Sequence, residues 1–212
     1  MIKQAKPAGR PRACDLEARN DNLIKTAGQL FLDMGYGKVS LELIARQAHV
    51  AVRTIYVKFG GKSGLFQAVL SANRDRFITA NQLEHDGRPL REVVGEFAEH
   101  FQDMLTTPEA LEVQRMVISE ARSNPEVGHS FFEAGPRQSR EMLAQFFARP
   151  DIREQLRDDV PLEQLPAYLL GVVMGDPFSR FLFNPALQPR DETMRRMHER
   201  LDLFFRSVLK KP

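Results

Sequence analysis

The chain has 212 residues, 42% of them apolar and 27% charged, with a formal net charge of +2. This is the composition of a soluble globular protein long enough to bury a core, and it excludes a low-complexity chain. The single cysteine, Cys14, excludes an internal disulfide and a cysteine-cluster metal site.

The charge is unevenly placed. Residues 1–62 hold eleven Lys or Arg against five Asp or Glu, a net of +6, which leaves −4 for the rest. The pattern is that of an anion-binding head on an acidic body. The N-terminus carries charges but no apolar signal core, and the longest apolar run, Ala167 to Gly175, stops at Asp176, short of a bilayer's thickness. The expectation is a cytoplasmic protein with no membrane partner and no cofactor.

Residues 1–19 are polar, contain Pro7 and Pro11, and are expected to be largely disordered. Within them, Gly9-Arg10-Pro11-Arg12 is a compact basic element. Two readings stand: a solvated tail, or an arm that lays Arg10 and Arg12 into a narrow minor groove. Leu23, Ile24, Ala27, Leu30, Phe31 and Met34 then recur at helical spacing. The predicted helix starts near Asn20 or Asp21, as an N-cap, and ends at Gly35.

Leu41 to Ala48 and Val52 to Phe59 read as two short helices at a sharp angle, broken at His49-Val50-Ala51 and capped at the start by Ser40. That spacing is a helix-turn-helix. Leu43, Ile44, Ala48, Val50, Ile55 and Phe59 supply its apolar contacts. Val52, Arg53, Thr54, Tyr56 and Lys58 remain on the second helix, and their groups suit base edges and phosphate oxygens in a major groove. The alternative is a surface helix with a basic face. Lys62 opens the next helix, predicted over about 62–82, where free amides already favour an anion.

From residue 89 onward only helical patterns occur. They are predicted near 90–105, 111–123, 125–148, 162–183 and 191–209, with a kink or break at Gly135-Pro136. Gly171 and Gly175 are one turn apart and allow close helix approach. Met194, Met197, Leu201, Phe204, Phe205 and Val208 form an apolar seam. The last two helices therefore read either as a two-fold dimer interface, through Gly171, Gly175, Met197, Leu201, Phe204 and Phe205, or as a cap on the chain's own core.

The ordered set Ala27, Leu30-Phe31, Gly35-Tyr36, Ser40, Ile44-Ala45, Val50, Thr54-Ile55-Tyr56, Phe59, Lys62 and Leu65-Phe66 resembles the TetR family of transcriptional regulators over about residues 20–70. The stretch around Glu120-Ala121 and Phe132 to Pro136 resembles the C-terminal domain of AefR-like members. The resemblance implies an all-α protein with an arm (1–19), a helix-turn-helix head (20–62) and a helical regulatory and dimerisation body (63–212). It implies phosphate contacts from Ser40, Thr54, Tyr56 and Lys62, with Val52 and Arg53 at base edges. Lys58 stands where the family often has His or Tyr. It further implies a homodimeric repressor that binds double-stranded DNA at a palindromic operator and is released by a small hydrophobic or amphipathic ligand.

Candidate pocket residues are Phe97, Phe101, Met104, Met116, Glu120, Phe131, Phe132, Met142 and Tyr168, aromatic and methionine side chains that equally suit a plain core. Arg115 and Glu120 read as a core ion pair or as ligand-orienting groups, and His100 and His129 as polar pocket candidates. Three departures from the family pattern stand out. Ala51 replaces a capping Ser or Thr, His49 replaces a turn glycine, and Gly61 and Gly64 flank Lys62, which predicts a loose joint between head and body. An architectural DNA-binding protein without an inducer is the alternative function. No metalloprotease, phosphate-loop or nucleophile-elbow motif points to an enzyme.

Overall fold

The computed structural model describes residues 13–77, 83, 87–183 and 189–210. Eleven α-helices and one π-helical turn are assigned among them, and an isolated bridge between Leu156 and Leu209 stands in place of any sheet. The head contains α1 (Ala13–Met34), α2 (Leu41–Gln47) and α3 (Val52–Phe59). Helix α4 (Lys62–Phe77) leads into the body. The body holds α5 (Leu90–Thr106), α6 (Pro108–Glu120), α7 (Pro125–Phe132), a π turn (Glu133–Arg137), α8 (Gln138–Ala148), the short α9 (Pro150–Arg153), α10 (Leu165–Phe183) and α11 (Arg190–Val208).

Helix α1 begins at least seven residues before the predicted Asn20 cap, so 13–19 is helical rather than irregular. The apolar residues taken to mark this helix begin at Leu23, although Leu16, seven residues earlier at helical spacing, already carried the signal of the earlier start. The expected arm residues Arg10 and Arg12 lie outside the described residues, as does the Cys14 side chain. The end of α1 matches expectation: Gly35 takes φ +81, the left-handed conformation that closes a helix.

Two cores form. The first packs Leu23, Ala27 and Phe31 of α1 with Tyr36, Val39, Ile44, Ile55, Leu65 and Phe66. Phe31, Tyr36 and Phe66 make a triangle of rings, each pair with centroids 5.3 Å apart. Met116 and Val117 of α6 and Val127 of α7 belong to this same core, so the body completes the head. The second core joins α5, α8, α10 and α11 through Phe97, Phe101, Leu143, Phe146, Leu169, Met197, Leu201 and Phe204.

The predicted kink or break at Gly135-Pro136 takes the form of the π turn. Pro136 has no N–H to give the helical ladder, and a widened turn absorbs that loss without ending the helix. Arg74 of α4 donates to the carbonyl of Ala134 in this turn at 2.8 Å. A second irregularity lies inside α10. Gly175 takes φ +54 and ψ −173, and Arg200 of α11 donates to the carbonyls of Val172 and Val173 just before it.

Candidate nucleic-acid interface and regulatory body

Helix α2 starts where Ser40 accepts the N–H of Leu43 at 3.2 Å, the predicted side-chain cap. The turn to α3 runs through His49 at φ 55, so histidine carries the left-handed geometry that glycine would carry more easily. Ala51 makes no side-chain cap bond, and only its carbonyl engages the new helix, accepting from Thr54 N–H at 2.8 Å. Ile55, fully buried, anchors α3 to the head core.

Arg53, Tyr56 and Val57 are the exposed outer face of α3. Val57, 75% exposed, escaped the sequence reading, which sought polar groups only. Its signal was its place, four residues after Arg53 on the same helical face. Lys58 is also exposed but is tied back to α1, its Nζ donating to Asn20 Oδ1 at 3.2 Å. Val52 and Thr54 are half-buried, and Val52 packs against the head core instead of standing free.

Lys62 is half-buried with its Nζ 4.2 Å above the Tyr36 ring. Burial holds its pKa below the ordinary lysine value, against the opposing pull of Glu120 and Glu126. Burial also drives the Tyr36 hydroxyl up to about 12, with Glu126 and Glu120 adding to the effect. The ammonium group is therefore built into the joint between head and body.

The predicted pocket set does not converge. Phe97 and Phe101 stack at 5.5 Å inside the body core, with Met104 and Met142 packed against it. Met116 and Phe131 pack into the head core instead. Phe132 is exposed with Arg140 5.6 Å from its ring, and Tyr168 is exposed on the outside of α10. Glu120 neither pairs with Arg115 nor faces the body core. Its carboxylate accepts the N–H of Gly37 in the head at 2.7 Å, while Arg115 donates to the Leu182 carbonyl at 2.7 Å. Helical spacing alone could not reveal this, because α6 packs against α1 and α7 as well as against α5 and α10.

One polar group missed in the sequence lies in the body. Gln102 of α5 is 1% exposed, and neither its Oε1 nor its Nε2 has a hydrogen-bond partner. A buried amide left unpaired at both atoms is costly and calls for a reason. His100 Nδ1 is likewise buried without a partner, whereas His129 is exposed. Among the described residues no group of three or more His, Cys, Asp or Glu side chains could hold a metal ion.

The expected interface seam is also redirected. Met197, Leu201, Phe204 and Phe205 are buried in the chain's own second core, with Phe204 only 1% exposed. Gly171 is exposed with open space around it, while Gly175 lies against the Arg200 guanidinium. Among the groups that α10 and α11 leave on the outside are Tyr168, 52% exposed, Gly171, Phe183, 89% exposed, and Leu203, 64% exposed. No described helix is long and apolar enough to cross a membrane.

Residues 92–207 match the family described as the AefR-like transcriptional repressor, C-terminal domain, and residues 23–69 match the bacterial regulatory proteins of the tetR family. The chain belongs to the TetR family. The HTH-type transcriptional repressor ComR of Escherichia coli (strain K12) is 34% identical to this TetR-family regulator over 79 residues, which cover 37% of the chain and 36% of ComR. The match thus spans about a third of that relative. NalD of Pseudomonas aeruginosa, the secondary repressor of the MexAB-OprM multidrug efflux pump, is 25% identical. Its structure superposes with a TM-score of 0.60 over 93% of this chain and 99% of NalD. A TetR-family regulator from Mesorhizobium loti, 20% identical, shares the fold with a TM-score of 0.73 over 92% of this chain and 98% of its own.

Proposed function

We propose that this TetR-family regulator is a cytoplasmic homodimeric repressor of a palindromic operator, released when a small hydrophobic or amphipathic ligand binds in the body. The exposed outer face of α3 carries the reading. Arg53 offers a bidentate fork to a guanine, Val57 an apolar contact for a thymine methyl, and Tyr56 a hydroxyl for a phosphate. Ser40, already at a helix N-terminus, and Thr54 add phosphate contacts, and Lys58 and Lys62 add positive charge beside them. The arm with Arg10 and Arg12 extends the footprint into the minor groove.

The uncovered Tyr168, Gly171 and Leu203 support a two-fold face on α10 and α11, with Gly171 admitting close approach of a partner helix. For the ligand, the support is Gln102. An apolar molecule with one donor and one acceptor beside this buried amide would satisfy both of its atoms.

The test is binding to DNA upstream of the protein's own coding region, against an unrelated duplex, across a salt series. Binding tighter to the upstream duplex by ~10³-fold or more is expected for a sequence-specific regulator. Equal, steeply salt-dependent binding to both duplexes would leave a non-specific basic head and favour an architectural role.

A further inference from the structure

A directed hydrogen bond links the head to the body. Glu120 is the last residue of α6, and its Oε2 accepts the main-chain N–H of Gly37 at 2.7 Å. Gly37 lies in the turn between α1 and α2, three residues before the Ser40 cap of the helix-turn-helix. Asn124 donates to the same carboxylate oxygen at 3.2 Å and holds it in place.

The turn is shaped to receive this carboxylate. A Cβ at Gly37 would meet Glu120 Oε2 and Asn124 Nδ2, each at 3.2 Å, and a Cβ at Gly35 would overlap Glu120 Oε1. The bond therefore needs small residues on both sides of Tyr36, whose ring is buried between Phe31 and Phe66. Five residues earlier on α6, Arg115 donates to the carbonyl of Leu182 near the end of α10. Helix α6 is thus fastened at one point to the body and at another to the reading head.

We infer that Glu120 is a positioning residue for DNA recognition. It fixes the angle of the helix-turn-helix on the body, and in a dimer that angle sets the distance between the two recognition helices. The inference rests on the DNA-binding reading above. Apolar packing of Met116, Val117 and Val127 holds the head in contact with the body, but such packing is non-directional, whereas a hydrogen bond to one amide is not.

The test uses the full-length protein and a duplex selected by it from a random pool, remade with the half-site spacing changed by one or two base pairs. Wild-type protein should lose about tenfold or more in affinity for the altered spacings, because half-site separation mirrors the protein's geometry. Glu120→Ala should flatten that penalty to about threefold or less while its melting remains cooperative. Its Gly37 amide should exchange about tenfold faster, since the bond that protects it is gone. Glu120→Gln keeps an acceptor oxygen and should restore both readouts. Gly37→Ala, which crowds the carboxylate from the head side, should relax the spacing penalty too and decides the matter if Glu120→Ala does not fold. An unchanged spacing penalty in Glu120→Ala, or in Gly37→Ala where that variant decides, overturns the inference, whatever the exchange rate. If wild-type protein selects no duplex, the DNA-binding reading falls instead. Unaltered Gly37 exchange in Glu120→Ala would then remove the latch itself.

Discussion

At the scale of single residues, this protein departs from easy local choices in the helix-turn-helix and in the body core. Ala51 begins α3 with extended backbone and no side-chain cap, so one amide at the start of the recognition helix goes without a side-chain acceptor. Ala51→Ser should raise stability by about 1 kcal/mol, measured by urea unfolding, because a hydroxyl there can accept an N–H of the first turn. His49 pays a similar conformational cost at φ 55. Gln102 is a different kind of departure. Gln102→Leu, similar in volume and free of polar atoms, should stabilise the fold by about 1–3 kcal/mol while DNA binding persists. The same variant should lose its response to whatever ligand releases the wild-type protein. Destabilisation by Gln102→Leu would show that the amide has partners in solution and is no anchor.

At the scale of elements, the joint between α3 and α4 shows how glycine can tighten a structure. Sequence reasoning took Gly61 and Gly64 as loosening residues, since glycine weakens an isolated helix. In the fold, Gly60 and Gly61 both carry positive φ and Gly61 is buried. Leu65 N–H reaches Gly61 O at 3.1 Å. Helix α4 passes so close to the end of α3 that a Cβ on Gly64 would overlap the carbonyl oxygen of Phe59. Gly64→Ala should therefore destabilise the protein by at least about 2 kcal/mol, seen in thermal melting, because backbone cannot yield as a flexible side chain can. The Gly60 and Leu65 amides, which donate to the carbonyls of Tyr56 and Gly61, should be well protected from exchange in the DNA-free protein. The π turn makes a related point: Gly135-Pro136 announced an irregularity, but only the packing of α4 against it, with Arg74 on the Ala134 carbonyl, made a widened turn preferable to a break.

At the scale of the whole molecule, α11 separates its duties by face. Phe204 lies in the body core, so Phe204→Ala should cost about 3–5 kcal/mol in unfolding experiments. Leu203, its neighbour, points outward, so Leu203→Glu should leave the melting temperature of the isolated fold nearly unchanged. Sedimentation should then show the wild type as a dimer and Leu203→Glu as a monomer. A dimeric Leu203→Glu would remove this face from the interface.

Much of this arrangement was legible in the residues themselves. Ser40 as a cap, Gly35 as a helix end, and the boundaries of α2 and α3 all follow from local chemistry, as does the interruption at Pro136. Such features depend on contacts a few residues away, and the order of these residues also carried the family resemblance. The sequence thereby determined the all-helical class, the helix-turn-helix and the family. Only the tertiary structure decided which face of each body helix turned inward. It sent Met116 and Phe131 to the head core, Phe204 to the body core and Glu120 to Gly37, 83 positions away in the chain. Periodicity marks which side of a helix is apolar, but α6 has partners on more than one side, and the choice among them belongs to packing.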